Sequence, residues 1–224
     1  MPTRIEVWTP DGRVVRTLAS RPLIERVSWG SDGAQSGPRN PPWRAHHPAS
    51  LVWIEALDNG DPTKQVPKRD RILALAAPFT GDPSTLVETE WRARGIVWGR
   101  SDLAIATETN GRQRKTRTWA IDPSGKAAPR LLWERSSEDR YGDRGTFVTR
   151  RDARGRSVLH ILSDGKTAFL RGNGASPEGD RPFLDRFALT TGQSTRAFQS
   201  AAPYYETVVD LLDDRGERLL TRRE

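Results

Sequence analysis

The sequence predicts an all-β chain, a partial β-propeller of four-stranded antiparallel blades with about three full blades plus two half blades. Three observations carry this expectation. A strand, turn, strand unit of one spacing recurs at Arg4 to Leu18, Ile72 to Glu88, Thr118 to Trp133 and Phe187 to Phe198. Each copy is a hairpin that cannot bury its apolar face alone, so repetition implies stacked blades around a channel. The strands between these hairpins echo one another as well, Arg26-Val-Ser-Trp-Gly-Ser-Asp32 matching Gly95-Ile-Val-Trp-Gly-Arg-Ser-Asp102. Finally, 19 Gly and 16 Pro punctuate short apolar runs, which is the texture of turns between strands.

Taken in order, residues 1–20 supply only an outer hairpin, a half blade turning at Asp11-Gly12. A first full blade is expected near residues 26–91, with Ser50-Leu-Val-Trp-Ile-Glu-Ala56 inside it and a hairpin around Phe79-Thr-Gly81. A second lies near 92–135, where Leu103-Ala-Ile-Ala-Thr-Glu-Thr109 precedes the hairpin around Pro123-Ser-Gly125. A third lies near 145–200, with Ser157-Val-Leu-His-Ile-Leu162 and Thr167-Ala-Phe-Leu170 leading to the turn at Thr190-Thr-Gly192. Residues 204–224 add a second half blade from Glu206 to Leu212 and Glu217 to Thr221, so one incomplete domain spans 1–224. The turn glycines Gly12, Gly81, Gly125 and Gly192 are 69, 44 and 67 residues apart (81 − 12, 125 − 81, 192 − 125). A four-stranded blade takes about 40 to 50 residues, so the longer intervals hold insertions. These are Gly30 to Ser50 with Asp58 to Asp70, and Asn173 to Pro182, whose Gly, Pro and acidic residues cannot continue a ladder. An open arc leaves bare strand edges, which predicts self-association, unless the two half blades join to close a four-bladed ring.

Composition narrows the function classes. No stretch of 18 apolar residues exists to span a bilayer, and Met-Pro-Thr-Arg-Ile-Glu has no apolar core to serve as a secretory signal. Zero Cys removes disulfides and thiolate chemistry, which fits a cytoplasmic or a periplasmic setting and leaves localisation open. The net charge of +7 raises nucleic-acid binding. Yet 31 of the 36 basic residues are Arg (36 − 5 Lys), scattered among Asp and Glu, and the densest run, Arg112-Gln-Arg-Lys-Thr-Arg117, falls at a hairpin tip. A solvated tip is the expectation there, and the Arg bias reads as codon usage in a GC-rich, bacterial genome. Neither a nucleic-acid nor a membrane partner is expected.

Candidate sites are few. Gly172-Asn-Gly-Ala-Ser-Pro-Glu-Gly179 lacks the Gly-x-Ser-x-Gly spacing of a nucleophile elbow and reads as a loop between strands. His46 and His47 face opposite ways in an extended segment, and His160 stands alone, so no metal or other cofactor is expected. Asp58-Asn-Gly-Asp61 lacks the spacing of a calcium loop and reads as a tight turn. Six of the eight Trp, Trp8, Trp29, Trp53, Trp98, Trp119 and Trp133, fall within strand runs and are expected to pack between blades, while Trp43 and Trp91 lie at element ends. Trp43, beside Arg44 in the first insertion, is the aromatic candidate for ligand contact.

Several motifs together resemble one family. They are Gly37-Pro-Arg with Trp43-Arg44, Pro48 to Asp61, Arg69-Asp70, Ala77-Pro-Phe79, Gly95-Ile-Val-Trp-Gly99, Ser137-Glu-Asp-Arg-Tyr141, Gly174 to Asp185 and Tyr205-Glu-Thr-Val-Val209. They are similar to the N-terminal β-propeller of the glutamyl endopeptidase branch of the prolyl oligopeptidase family of serine peptidases. Tyr141-Gly-Asp-Arg-Gly145 departs from the Asp-Pro-Gly expected there. The resemblance implies a propeller that covers an α/β-hydrolase domain and limits access of peptides to a Ser-Asp-His triad in that domain. No catalytic residue carries over to these 224 residues. The chain is therefore read as a non-catalytic propeller fragment whose partners are the hydrolase domain and a peptide substrate, with Trp43 and Arg44 as gating candidates. The alternative is a stand-alone propeller-like module that binds a peptide or protein.

Overall fold

The computed structural model describes residues 2–23, 30–39 and 41–224, and among them every regular element is a β-strand. No helix among them is long and apolar enough to cross a membrane. The strands fall into two units, Met1–Glu134 and Arg135–Glu224.

In the first unit, β1 (Thr3–Trp8) and β2 (Val14–Arg21) form a hairpin. Its turn is held by the Gly12 amide donating to Thr9 O at 3.0 Å, with Gly12 at φ 86°, a conformation open to glycine without a Cβ clash. β3 (Ser50–Ala56), β4 (Asp70–Ala76) and β5 (Ser84–Thr89) follow as a three-stranded antiparallel sheet. Val7 of β1 packs with Leu51, Trp53, Leu73, Leu75 and Phe79, and Val15 and Leu18 of β2 cover them. The opposite face of β3 and β4, with Val52, Ile54, Ile72 and Ala74, is buried too, which explains why these strands read as continuous apolar runs instead of alternating. β6 (Arg92–Arg100), β7 (Leu103–Asn110), β8 (Lys115–Ile121) and β9 (Arg130–Ser136) run as a consecutive meander. Four strands thus occupy the stretch from 92 to 136.

The blade expected near 26–91 shows three paired strands. The opening strand placed at Arg26 to Asp32 lies mostly outside the described residues, as does Trp29. The free edge of β3 is instead lined by the first insertion: Arg39 exchanges both backbone hydrogen bonds with Ile54, and Trp43 bridges Leu51. An edge that would otherwise present bare amides is thereby satisfied by a loop.

In the second unit, β10 (Thr146–Phe147), β11 (Thr149–Arg151) and β12 (Ser157–Leu159) are short. β13 (Thr167–Gly172) is followed by a miniature hairpin of β14 (Ala175–Ser176) and β15 (Gly179–Asp180), then by β16 (Phe183–Ala188) and β17 (Ser194–Gln199). The order in the sheet is β10, β13, β16, β17. The strand expected from Ser157 to Leu162 stops at Leu159 and pairs with β11, and the residues after it meet β13 through the bridge of Ile161 with Ala168 and the His160 ring on Phe169. The edge of β13 is thus shared by two short pieces, since Thr146 and Phe147 take its other end. β18 (Glu206–Leu211) and β19 (Leu219–Arg223) close the chain as a two-stranded sheet. Val208, Leu211 and Leu219 of that pair pack on Val148, Phe169 and Leu184.

Two details depart from expectation. The turn at Gly81 is made by Phe79, which takes φ 68° while its amide donates to Ala76 O at 2.9 Å. Trp8 is not a packing residue: it is 57% exposed, with its indole N–H on Glu6 at 3.2 Å, because it lies on the face of β1 opposite Val7.

Candidate functional site

The residues quoted above for the family resemblance converge, in the first unit, on a buried network of charges. The tight turn Asp58-Asn-Gly-Asp61 forms as expected, with Asn59 and Gly60 at φ 58° and 80° and the Gly60 amide on Asp58 Oδ1 at 2.9 Å. The turn also sinks the Asp58 carboxylate into the core, where Oδ2 accepts from Arg69 Nη1 at 2.8 Å and Arg92 Nη2 at 2.6 Å. Asp70, which opens β4, is fully buried; its Oδ1 accepts from Arg92 Nη1 at 2.9 Å, and its Oδ2 accepts from the Ala93 amide at 2.8 Å. Arg39 Nη2 lies 2.7 Å from the same oxygen as an ion pair. Arg92 Nε donates to Asp32 O at 2.6 Å, so one guanidinium ties four chain segments together. Three guanidiniums share two carboxylates, leaving one positive charge in excess.

Above this lock lies a cleft of about 610 Å³ lined by Ser31, Asp32, Gln65, Arg69, Trp91 and Arg112, among others. Asp32 shapes its far wall, for its two carboxylate oxygens accept from the Gly111 amide at 2.7 Å and the Arg112 amide at 3.2 Å. Gly111 is required at that wall: a Cβ there would meet Ser31 Cβ at 2.5 Å. Trp91 is fixed by its own amide on buried Glu108 Oε2 at 2.8 Å and by Arg117, whose guanidinium sits 3.8 Å over the ring. Arg117 also bonds Glu134 and Glu90, at 2.7 and 2.8 Å, and Lys115 bonds Glu134 at 2.8 Å. Both carboxyls are consequently held below their ordinary range, Glu134 by Lys115 and then Arg117, Glu90 by Arg117 and then Lys68. The basic run Arg112 to Arg117 is therefore no uncompensated stripe.

The gating candidates separate. Trp43 is half exposed and rests edge-on against Phe79, ring centroids 6.1 Å apart. Arg44 is 8% exposed, with its guanidinium 5.3 Å over the Trp98 ring, and burial lowers its pKa against the opposing pull of Asp122. Trp43 thus presents a surface, whereas Arg44 is spent on packing.

His47 Nδ1 and Ser50 Oγ are 2.7 Å apart, the one close Ser–His pairing recorded among the described residues. It does not make a nucleophile. Ser50 is 2% exposed, its hydroxyl also reaches Pro48 O at 2.9 Å, and no carboxylate among the described residues bonds His47 to orient it. His46 takes φ 55° in the adjoining turn. No group of three potential metal ligands exists among the described residues.

In the second unit two of the three quoted motifs meet. Glu138, Asp139, Arg140 and Tyr141 line a small cleft of about 200 Å³ with Ala175, Ser176 and Asp180, and Arg140 pairs with Asp180 at 3.3 Å. Ser176 Oγ, the hydroxyl nearest to an elbow in sequence, donates to Gly179 O at 2.7 Å and closes the miniature hairpin, as the loop reading expects. Asp185, at the end of the Gly174 to Asp185 string, forms an ion pair with Arg196 on the neighbouring strand.

Sequence reasoning missed the lock because each of its members looks ordinary alone. A signal was present: Asp58 and Asp70 sit at strand ends, immediately beside apolar runs, where charge is rarely buried without a partner.

No family model matches the chain. Among curated proteins it is 39% identical over 231 residues to a probable chloroplastic glutamyl endopeptidase of Arabidopsis thaliana, covering 100% of this chain and 24% of that protein. It is also 39% identical over 223 residues to the protein of the same description from Oryza sativa subsp. japonica, covering 96% of this chain and 24% of that protein. A solved Mycobacterium tuberculosis puromycin-hydrolyzing peptidase matches 99% of this chain and 40% of its own at 13% identity with a TM-score of 0.31, a likeness too slight to bear on the fold. The chain thus spans about a quarter of the length of the curated relatives it matches. Identity sustained from end to end, together with the motifs gathered in the lock and the smaller cleft, makes the chain a member of the glutamyl endopeptidase branch of the prolyl oligopeptidase family.

Proposed function

We propose that this chain is a non-catalytic, propeller-forming segment of a glutamyl endopeptidase-like serine peptidase, and that its role is to limit which peptides reach an α/β-hydrolase domain. The observation that carries the reading is the 39% identity across the whole chain to about a quarter of proteins described as glutamyl endopeptidases. The antiparallel sheets support blades, and the lock supports a rigid scaffold, since a buried charge network tolerates little displacement before it loses its hydrogen bonds. In such an arrangement the hydrolase domain would supply the serine acyl-enzyme chemistry, and this segment would supply walls and an entrance. Trp43 is the exposed aromatic available at such an entrance.

The test is to read the source locus beyond the codon for Glu224. An in-frame Gly-x-Ser-x-Gly segment followed by Asp and His supports the proposal. A stop codon there, with an intact cellular mass matching these 224 residues, would overturn it in favour of a free-standing binding module.

A further inference from the structure

The cleft above the lock has an excess of hydrogen-bond donors and of positive charge. Its charged acceptor and two of its neutral ones are already in use: both oxygens of Asp32 take backbone amides, Asn110 Oδ1 takes the Gln113 amide at 2.9 Å, and Thr109 Oγ1 takes Arg94 Nε at 2.6 Å. The side-chain amides of Gln65 and Gln113 bring a donor and an acceptor each, so the surplus lies in the remaining donors. The guanidinium of Arg112, the side-chain amide of Asn110 and the indole N–H of Trp91 carry no partner among the described residues. Beneath them, three guanidiniums share the two carboxylates of Asp58 and Asp70.

From this arrangement we infer that the cleft binds a short peptide through one carboxylate, with Arg112 as its cationic partner. The surplus is one exposed guanidinium beside neutral donors, because Lys115 and Arg117 are committed to Glu134 and Glu90. A single carboxylate satisfies that surplus, whereas a polyphosphate chain needs a row of uncompensated cations. The unpartnered neutral donors suit the carbonyl oxygens on either side of a carboxylate in a peptide. The choice of a peptide over another carboxylate rests on the function proposed above; the choice of a carboxylate rests on the cleft alone. Its source is either an acidic side chain or a free C-terminus.

The experiment is a titration of the full chain followed by backbone amide NMR at Gly111 and Arg112 and by Trp fluorescence. Three probes are used: acetyl-Ala-Glu-Ala-amide, acetyl-Ala-Gln-Ala-amide, and acetyl-Ala-Gln-Ala with a free C-terminal carboxylate. Saturable shifts at Gly111 and Arg112 are expected with at least one carboxylate-bearing probe, and the uncharged amide should bind at least about fivefold more weakly. Which of the two carboxylates wins identifies its source. Arg112→Gln should lose about fivefold or more, while Lys126→Gln, outside the cleft, should change nothing. Equal binding of the three probes, no saturation into the millimolar range, or unchanged affinity in Arg112→Gln would overturn the inference. A short single-stranded oligonucleotide that binds the same amides more tightly, with a steep salt dependence, would overturn it in favour of phosphate recognition. No turnover is measured, so failure here leaves the peptidase-segment proposal to be decided by the locus.

Discussion

Replacing Asp70 by Asn should cost the first unit much of its stability, even though the side chain keeps its shape. Asp70 is 0% exposed and holds Arg92, Arg39 and the Ala93 amide, while Arg92 is 2% exposed. The substitution removes one negative charge from a network already short of one, and Arg92 cannot turn to water. Breaking one partner of a buried pair in this way costs about 3–5 kcal/mol. For a unit whose total stability is of the order of 5–15 kcal/mol, that is a large share. With a urea slope of about 2 kcal/mol/M, the midpoint should fall by about 2 M. Tryptophan fluorescence reads this directly, because all eight Trp lie at or before Trp133, within the first unit, and Trp53 and Trp98 are buried in its core. A companion variant, Asp70→Asn with Arg92→Met, removes both charges. It should lose at least about 1 kcal/mol less than the two single losses combined. A midpoint change under about 0.5 M for Asp70→Asn, or strict additivity in the double variant, would refute the view that the lock holds this unit together.

Acid should weaken the second unit through His160. Its ring is buried edge-on against Phe169 with Nε2 unpartnered, and burial, then Arg150, lowers its pKa against the opposing pull of Asp214 and Asp210. An unfolded chain takes up that proton near pH 6.5 and the folded one resists it, so stability is lost as pH falls through about 6.5. Amide exchange at Phe169 and Leu170 should quicken between pH 7 and 5.5, and His160→Asn should flatten that dependence; an unaltered slope in the variant assigns it to another group. Gly174→Ala should be far worse than Gly125→Ala: both sit at positive φ, but a Cβ at Gly174 meets Arg181 O at 2.0 Å while Gly125 faces open space. Thermal melts should place Gly125→Ala within about 2 kcal/mol of the parent and Gly174→Ala well beyond it; equal losses would mean the loop around Gly174 shifts freely. Trp43→Ala, at a half-exposed ring, should cost about 1 kcal/mol or less, and Arg44→Ala clearly more. The reverse order in urea titrations would show that Trp43 is a packing residue.

The strands were legible in the sequence where apolar runs met turn glycines. Gly12, Gly125 and Gly192 do take positive φ, at 86°, 74° and 74°, and the meander from Arg92 to Ser136 falls where the repeat spacing places it. Short strands were not legible. Thr146–Phe147 and Ser157–Leu159 are too brief to show a period of two, and which of them lines β13 depends on partners far along the chain. The Trp residues split for a similar reason. Trp53 and Trp98 are buried as expected, but the face that Trp8 occupies depends on one step of register beside Val7. The lock was least legible, since Arg39, Asp58, Asp70 and Arg92 acquire meaning only when the turn at Asn59-Gly60 and the starts of β4 and β6 bring them within 3 Å. A resemblance to the family pointed to most of these residues as a signature, and the structure shows what they do here: they tie separate backbone segments together.

The arrangement of the lock bears on how the chain is made. Its carboxylates, Asp58 and Asp70, and the Asp32 carbonyl that Arg92 also reaches all precede Arg92 in the sequence, and the bond from Arg92 to Asp32 spans 60 residues while that from Gly111 to Asp32 spans 79. On a ribosome adding about 5–20 residues per second, Asp32 therefore waits about 3–12 seconds for Arg92 to be polymerised, and longer for it to clear the exit tunnel. During that interval the carboxylates of Asp58 and Asp70 are held by water instead of by Arg92, while β1 and β2, already made, can cover one face of β3 and β4. The lock can therefore assemble only after Arg92 and Gly111 have left the exit tunnel, and a pause in translation at that later point would give it time to form before the second unit is made.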